Sequence, residues 1–353
     1  MSEIRDFTRR DFLAATGAAT GAAAMAAPLS VLAQATASPG PIVANWYPGL
    51  LGSNLKRSFL ETFAERAAVQ SVEMYDNARF TQMQANRAKP TSDIAVFIDV
   101  LMPLIVKSGL LARLDNKSTP NLDKVDASLR VWDDFAIPFA YGAWGICYNA
   151  KRVQKPITSW KDLLRDDLKG RVTAPNITFN SSVYTLDAMS QIAGGNLRQA
   201  DAGLQSMRQI RTTGPGLWEQ ENVAVGWLKT EEVWATPYYS GSVLALREDK
   251  DVPEMRFVIP SEGAYMVSFN VAKLANAPNP AGANRLVDHL LGAQGQSVWA
   301  SLGQGRGTNR EVTVPKMIAD TVPPHAALRR IDWQYFADNR SAIVAKWNEV
   351  VNR

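Results

Sequence analysis

Ser92-Asp93-Ile94-Ala95-Val96-Phe97-Ile98 sets the architecture of this chain. A strand with one wet face alternates apolar and polar residues. Ile94–Ile98 is apolar on both faces, the pattern of a strand buried between helices in a parallel sheet. Upstream, Ile42-Val43-Ala44-Asn45-Trp46 reads as a first strand, ended by the turn Tyr47-Pro48-Gly49. Ser53 is placed to cap a helix whose apolar face is Leu55, Phe59 and Phe63. A second strand is expected over Val69–Met74, leading to a polar helix from Ala78 to Ala88. Downstream, Met102–Leu111 reads as a helix. Strands alternating with helices predict an α/β protein.

The pattern restarts further on. Ile137-Pro138 and Ala143–Tyr148 read as extended crossing segments, followed by a short capped helix at Thr158–Leu164 and a strand at Gly170–Ala174. Helices are expected over Ser182–Ala193 and Leu197–Arg211. Glu232–Thr236 is a strand, Tyr238–Gly241 a turn, and Phe257–Pro260 and Tyr265–Val271 are extended. Pro280 opens a helix with Ala283, Leu286, Val287, Leu290 and Leu291 on one side. Two α/β units joined by extended crossings place a ligand cleft between them.

Composition removes several function classes. The 353 residues carry 38 Lys+Arg against 34 Asp+Glu, a net charge of +4, with no cationic face of the kind that nucleic acid demands. A single cysteine excludes an internal disulfide and a thiolate zinc site. Cys147 lies in an apolar run and reads as a small buried hydrophobe. His289 and His325 are the only histidines, too few for a His-rich metal centre.

Thr8-Arg9-Arg10-Asp11-Phe12-Leu13 precedes an Ala- and Gly-rich apolar run that ends in Ala33-Gln34-Ala35. An arginine pair, a weakly apolar stretch and an A-x-A site predict a twin-arginine export signal over residues 1–35, and a periplasmic location. The run is too weakly apolar for a membrane anchor.

No catalytic motif stands out. There is no G-x-S-x-G, H-E-x-x-H or phosphate-binding loop. Gly303-Gln304-Gly305-Arg306-Gly307 follows a helix and reads as a flexible helix exit. The pairs Asp133-Asp134, Asp166-Asp167 and Glu231-Glu232 are adjacent, point to opposite faces of an extended backbone, and read as surface charge. The aromatics carry more. Trp46, Tyr47, Trp218, Trp234, Tyr238, Tyr239 and Tyr265 fall at strand ends or turns, with Glu219 and Glu221 beside Trp218. Aromatic faces next to carboxylates suit an organic cation. Trp160, Trp299, Trp333 and Trp347 fall on helices and read as core. Tyr238-Tyr239 also offers two hard oxygen donors for ferric iron, with Asp99 or Glu262 as an acidic partner. Asn180-Ser181-Ser182 at a helix start keeps an anionic solute open.

The stretch Ile137–Asn149, then Ile157-Thr158-Ser159-Trp160-Lys161-Asp162-Leu163-Leu164, Leu168-Lys169-Gly170-Arg171-Val172 and Val258-Ile259-Pro260-Ser261-Glu262-Gly263, resembles the substrate-binding proteins of bacterial ABC importers. The nearest groups are the spermidine/putrescine binders and their ferric-ion-binding relatives (type II periplasmic binding proteins). The resemblance runs over the whole mature chain. It implies a two-lobed fold, each lobe a mixed, mostly parallel sheet flanked by helices, with the ligand cleft at the hinge. Residues 36–140 plus about 263–310 would form one lobe, and 141–262 plus about 311–353 the other.

Asn45-Trp46 is similar to the family's aromatic contact at the first strand. Tyr238 or Tyr239, and Tyr265, stand near two further aromatic positions. Two family carboxylates are replaced: the amine-binding aspartate by Val267, and an acidic pair by Pro175-Asn176. Asp76, Asp99, Glu219 or Glu221 must then supply counter-charge.

The expectation is a monomeric periplasmic receptor, not an enzyme, with no cofactor. It captures a small polar solute, a polyamine such as spermidine or putrescine ahead of ferric iron or a small anion, and delivers it to a permease–ATPase complex. The expected ligand residues are Trp46, Tyr47, Asp99, Trp218, Glu219, Tyr238, Tyr239 and Tyr265. A secreted cofactor-carrying enzyme is the alternative of a different class, fed by the export signal and opposed by the missing nucleophile–base set.

Overall fold

The computed structural model describes residues 40–248, 250, 252 and 254–353. The expected export signal lies outside the described residues. Strands are β1 (Ile42–Trp46), β2 (Val69–Glu73), β3 (Ile94–Ile98), β4 (Leu111–Ala112), β5 (Ile137–Asn149), β6 (Ala235–Tyr239), β7 (Met255–Val258), β8 (Tyr265–Leu274) and β9 (Arg306–Gly307). Helices are α1 (Gly49–Leu55), α2 (Asp76–Ala85), α3 (Met102–Lys107), α4 (Ser182–Ile192), α5 (Asp201–Thr213), α6 (Glu221–Lys229), α7 (Ser240–Arg247), α8 (Pro280–Leu291), α9 (Ala293–Ser301), α10 (Lys316–Thr321) and α11 (Trp333–Val350).

The strands join in the order β2-β1-β3-β8-β5-β6, with β4 on β8 and with β7 and β9 on β5. β3 is buried along its whole length, as its unbroken apolar run requires. Residues Phe269–Lys273 of β8 pair with β3, and its first half pairs with β5. The second half of β5, Trp144–Asn149, pairs with β6 and β7. β5 and β8 thus carry the sheet from a β1–β3 half to a β6–β7 half. The two separate extended segments expected around Ile137 and Ala143 are one strand of 13 residues. Pro138, which has no N–H to give, sits at the register shift between Pro138 and Ala140, where the ladder tolerates it.

The sheet is mixed, but less parallel than expected. β1 is parallel to β2 and to β3, while β3–β8 and every pairing of β5 are antiparallel. The long crossing strands supply most of the ladder and run against their neighbours. The expected strand at Gly170–Ala174 is reduced to single parallel bridges, Val172 to Ala235 and Pro175 to Trp218.

Three local readings are corrected. The first helix begins at Gly49, so Ser53 lies inside it and its hydroxyl turns back to the Gly49 carbonyl at 3.0 Å. Leu55, Phe59 and Phe63 are nevertheless buried together. The glycine-rich 303–307 segment is not a loose helix exit: Arg306 and Gly307 pair with Tyr141 and Ala140 of β5. Tyr238 and Tyr239 end strand β6, and the chain then continues directly into α7. Trp160, Trp299 and Trp347 are fully buried, as expected of core.

The C-terminal helix touches both halves. Asp338 of α11 pairs with Lys107 of α3 at 3.2 Å, and Lys346 pairs with Asp201 of α5. No helix among the described residues is long and apolar enough to cross a membrane.

Candidate functional site

β1 and β3 run parallel, and ligands of such sheets collect beyond their carboxyl ends. There the chain places Trp46 and Tyr47, after β1, and Asp99, after β3. The β6–β7 half answers with Tyr239 at the end of β6, Glu221 opening α6, and Ser181, Ser182 and Tyr184 at the start of α4.

Tyr47 belongs to a closed knot. Its hydroxyl donates to Asp76 and accepts the Ile98 N–H at 3.0 Å. Asp76 pairs with Arg79 at 3.3 Å, both side chains almost wholly buried. The Arg79 guanidinium lies 4.8 Å from the Tyr47 ring centre and 5.0 Å from that of Phe97, and donates to the Trp46 carbonyl at 2.8 Å. Asp76 is therefore already neutralised. Its carboxyl is raised by burial, against the pull of Arg79. Trp46 is fully buried, and its indole N–H meets no acceptor among the described residues.

Asp99 and Glu221 differ from Asp76: among the described residues neither makes an ion pair with a cation, although the charge of Arg330 acts on Asp99 from further off. Asp99 accepts from the Ser268 N–H at 2.9 Å and from the Asn270 amide at 3.0 Å. Burial pushes it up to about 6 against those donors. Glu221 is pushed up to about 7 by burial alone. It keeps partial solvent exposure. The Tyr239 hydroxyl bonds the Ser181 hydroxyl, and its ring stands edge-on to Trp144 at 4.7 Å. Burial and the neighbouring Glu221 both raise the Tyr238 and Tyr239 phenols.

Tyr184 stands where the halves meet. It is fully buried, and its hydroxyl has no partner. Burial raises its phenol, and the charges of Asp99, Tyr239 and Tyr47 act on it in the same direction.

Of the expected ligand residues, Tyr47, Asp99 and Tyr239 are thus brought within electrostatic reach of one point. Others are placed differently. Glu219 lies before α6 and is exposed, whereas Glu221, two residues on, is half-buried. Trp218 is core: its indole donates to Thr236 at 3.0 Å, and its ring packs on Phe179 at 4.7 Å. Tyr238 is buried beside it. Tyr265 is fully buried and donates to Asp187 at 2.7 Å, completing a network with Gln191 and the Leu197 N–H. Glu262, a suggested iron partner, instead caps the 160–164 turn through Ser159 and the Trp160 N–H. No group of three His, Cys, Asp or Glu side chains suited to a metal occurs among the described residues. Cys147 is buried and its thiol pushed up to about 12, an inert core position.

A separate cavity of about 510 Å³ is lined by Met83, Arg87, Gly109, Leu110, Leu274 and Asn276. It opens at the amino end of β3, opposite Asp99, and carries none of this chemistry.

Sequence reading did not single out Tyr184 or Asp187, and it named Glu219 rather than Glu221 among the expected ligand residues. The available signal was Asn180-Ser181-Ser182 followed two residues later by an aromatic hydroxyl in the first turn of a helix.

The chain is thus an α/β protein with two sheet halves joined by long crossing strands. Residues 89–339 match the family of bacterial extracellular solute-binding proteins, and the chain belongs to that family. A putrescine/agmatine-binding protein of Pseudomonas aeruginosa is 21% identical over 268 residues, 70% of this chain and 72% of that protein. The spermidine/putrescine transporter substrate-binding protein of Streptococcus pneumoniae superposes with a TM-score of 0.70 at 17% identity, covering 89% of this chain and 99% of that one. The apo ferric ion-binding protein A of Pasteurella haemolytica does so with 0.73 at 17%, covering 89% and 98%. These superpositions establish the fold. The protein is an extracellular or periplasmic solute-binding protein of an ABC importer and is not an enzyme.

Proposed function

We propose that the solute is a small ammonium-bearing molecule of the polyamine-like class, held between Asp99 and Glu221 against the phenols of Tyr184 and Tyr239. What supports this reading is the presence of two buried carboxylates that make no ion pair among the described residues, acting on the phenols of Tyr184 and Tyr239. An ionised acid removed from water is costly until a counter-charge arrives, and a ligand ammonium supplies it. The name of the Pseudomonas relative agrees with an amine. Phenolate ligation of iron gains less support, because burial and Glu221 hold Tyr238 and Tyr239 protonated and Glu262 is engaged elsewhere.

In the same proposal, residues 36–140 with 263–310 and residues 141–262 with 311–353 act as lobes that close on the solute. The closed receptor docks on a permease–ATPase complex, after export through the twin-arginine signal. Ligand-stripped, refolded protein is to be melted with putrescine, agmatine, spermidine, ferric citrate and inorganic phosphate. A saturable stabilisation by an amine is expected, about 2.7 kcal/mol at 100 times its dissociation constant. Stabilisation by ferric citrate or phosphate alone, with none from millimolar amines, overturns the reading.

A further inference from the structure

The cavity at the amino end of β3 has a lining divided by chemistry. Met83 of α2, Leu110, and Leu274 at the end of β8 border it, and each is at most 7% exposed. They make an apolar floor. Arg87, just beyond α2, and Asn276 border it too, and both are exposed to solvent, so they stand at the rim. No Asp or Glu lines the cavity. Its volume of about 510 Å³ falls in the range of pockets that hold small organic molecules.

The charge at this rim is unopposed. Among the described residues the Arg87 guanidinium makes no ion pair and no hydrogen bond, and Lys89 makes no ion pair. Residues 80–92, which carry both cations, contain no acid. A glycine makes room for the guanidinium. Gly109 has a φ of +67°, and a Cβ on it would lie 3.3 Å from the Arg87 Nη2. The guanidinium therefore lies against the Gly109 backbone at the cavity, where a side chain would crowd it. A planar guanidinium matches a carboxylate through two parallel hydrogen bonds. The Asn276 amide offers a further donor at the same rim. Each methylene that leaves water for the apolar floor adds to affinity.

We infer that this cavity is a second binding site, for a small amphipathic carboxylate. Its apolar body rests on Met83, Leu110 and Leu274, and its anionic end meets Arg87. A floor of this kind with an acid at its rim would select an amine, and with no charge it would take a neutral hydrocarbon equally well. Arg87 decides for the anion. The site is independent of the amine reading above. Asp99 follows β3 and accepts from Ser268 and Asn270 at one end of the β3–β8 ladder, while Leu274 stands past the other end, where Ile94 pairs with Lys273. An ammonium-bearing solute and this carboxylate therefore bind at the same time, without competing.

The experiment is calorimetry on the ligand-stripped full chain with hexanoate and phenylacetate, set against hexanol, hexylamine and acetate. At least one of the two carboxylates is expected to bind one to one, and about tenfold or more tightly than the three comparators. Arg87→Gln should weaken that binding about tenfold, to the level of hexanol. The same variant should leave hexanol binding within twofold and the melting temperature unchanged, because the side chain is exposed and makes no ion pair. Millimolar spermidine should leave the carboxylate affinity within twofold. Equal affinities for hexanoate and hexanol, an Arg87→Gln variant that binds as tightly as the wild type, or displacement of the carboxylate by spermidine each overturns the inference. So does the absence of carboxylate binding at millimolar concentration. The amine reading stands or falls separately, on the melting experiment.

Discussion

Glu221 and Glu219 stand two residues apart, and only one of them is half-buried. Glu219 precedes the N-cap Gln220 and stays in water, while Glu221 is the first residue of α6 and turns inward. Choosing between them required α6, whose Ala, Gly and Trp pattern gives a weak helical stripe. Aromatic positions were readable in the same way but not their partners: Tyr265 of β8 donates to Asp187 of α4, a pairing that no local pattern reveals. Two predictions follow the residues themselves. Glu221 binds a proton at about 7 in the fold against 4.5 in the open chain, and Asp99 at about 6 against 3.8. The folded state therefore holds more protons, and the solute-free protein loses stability as pH rises from about 4 to 7. An ammonium ligand needs both acids ionised, so its affinity should fall as pH drops from 7.5 to 5.5. Glu221→Gln should weaken binding about tenfold or more and flatten that profile; an unchanged profile in the variant refutes the role. Tyr265→Phe instead removes a structural donor from a buried carboxylate. It should cost about 1–3 kcal/mol in urea unfolding and leave solute affinity within threefold.

At the scale of elements, the apolar runs were the legible part. β1 and β3 were expected at the residues where they occur, and the start of α8 was marked by Pro280 behind the capping Asn279. The start of α7 was hidden because it follows β6 without a loop, and the break between α8 and α9 because one residue separates them, so no turn signal marks either place. The Gly170–Ala174 strand failed for another reason: its partners lie on either side as single bridges, which no local pattern reveals. Contact between elements also explains a residue in the crossing strand. A Cβ at Gly145 of β5 would lie 2.4 Å from the Val258 carbonyl oxygen and 2.6 Å from the Phe257 ring, where β7 passes. Val258 is backbone and cannot yield like a side-chain tip, so Gly145→Ala must push β7 away. A loss of about 1–3 kcal/mol is expected. Equal midpoints for wild type and variant in urea would show that β5 and β7 separate freely.

The whole molecule poses a question of entry. Tyr47, Asp99 and Tyr184 are between 0% and 5% exposed, although they come from both halves of the sheet. In the proposed reading a solute reaches them only if the halves part, a motion that no residue pattern encodes. The C-terminal segment was equally opaque. Its role depends on partners far away in the chain: α11 holds Lys107 of α3 through Asp338 and Asp201 of α5 through Lys346. α11 therefore ties the two halves together, and their separation must strain one attachment. Both pairs are exposed, so each is worth little at equilibrium, about 0.2–1 kcal/mol. Kinetics is where they should register. If opening precedes binding, the observed association rate levels off as solute concentration rises. Replacing Asp338 and Asp201 by Asn should raise that plateau about threefold, the rate equivalent of one exposed pair at about 0.6 kcal/mol, with a near-constant melting temperature. A rate that climbs linearly to the highest concentration in both proteins would mean that the recess is open before the solute arrives and that α11 does not restrain it.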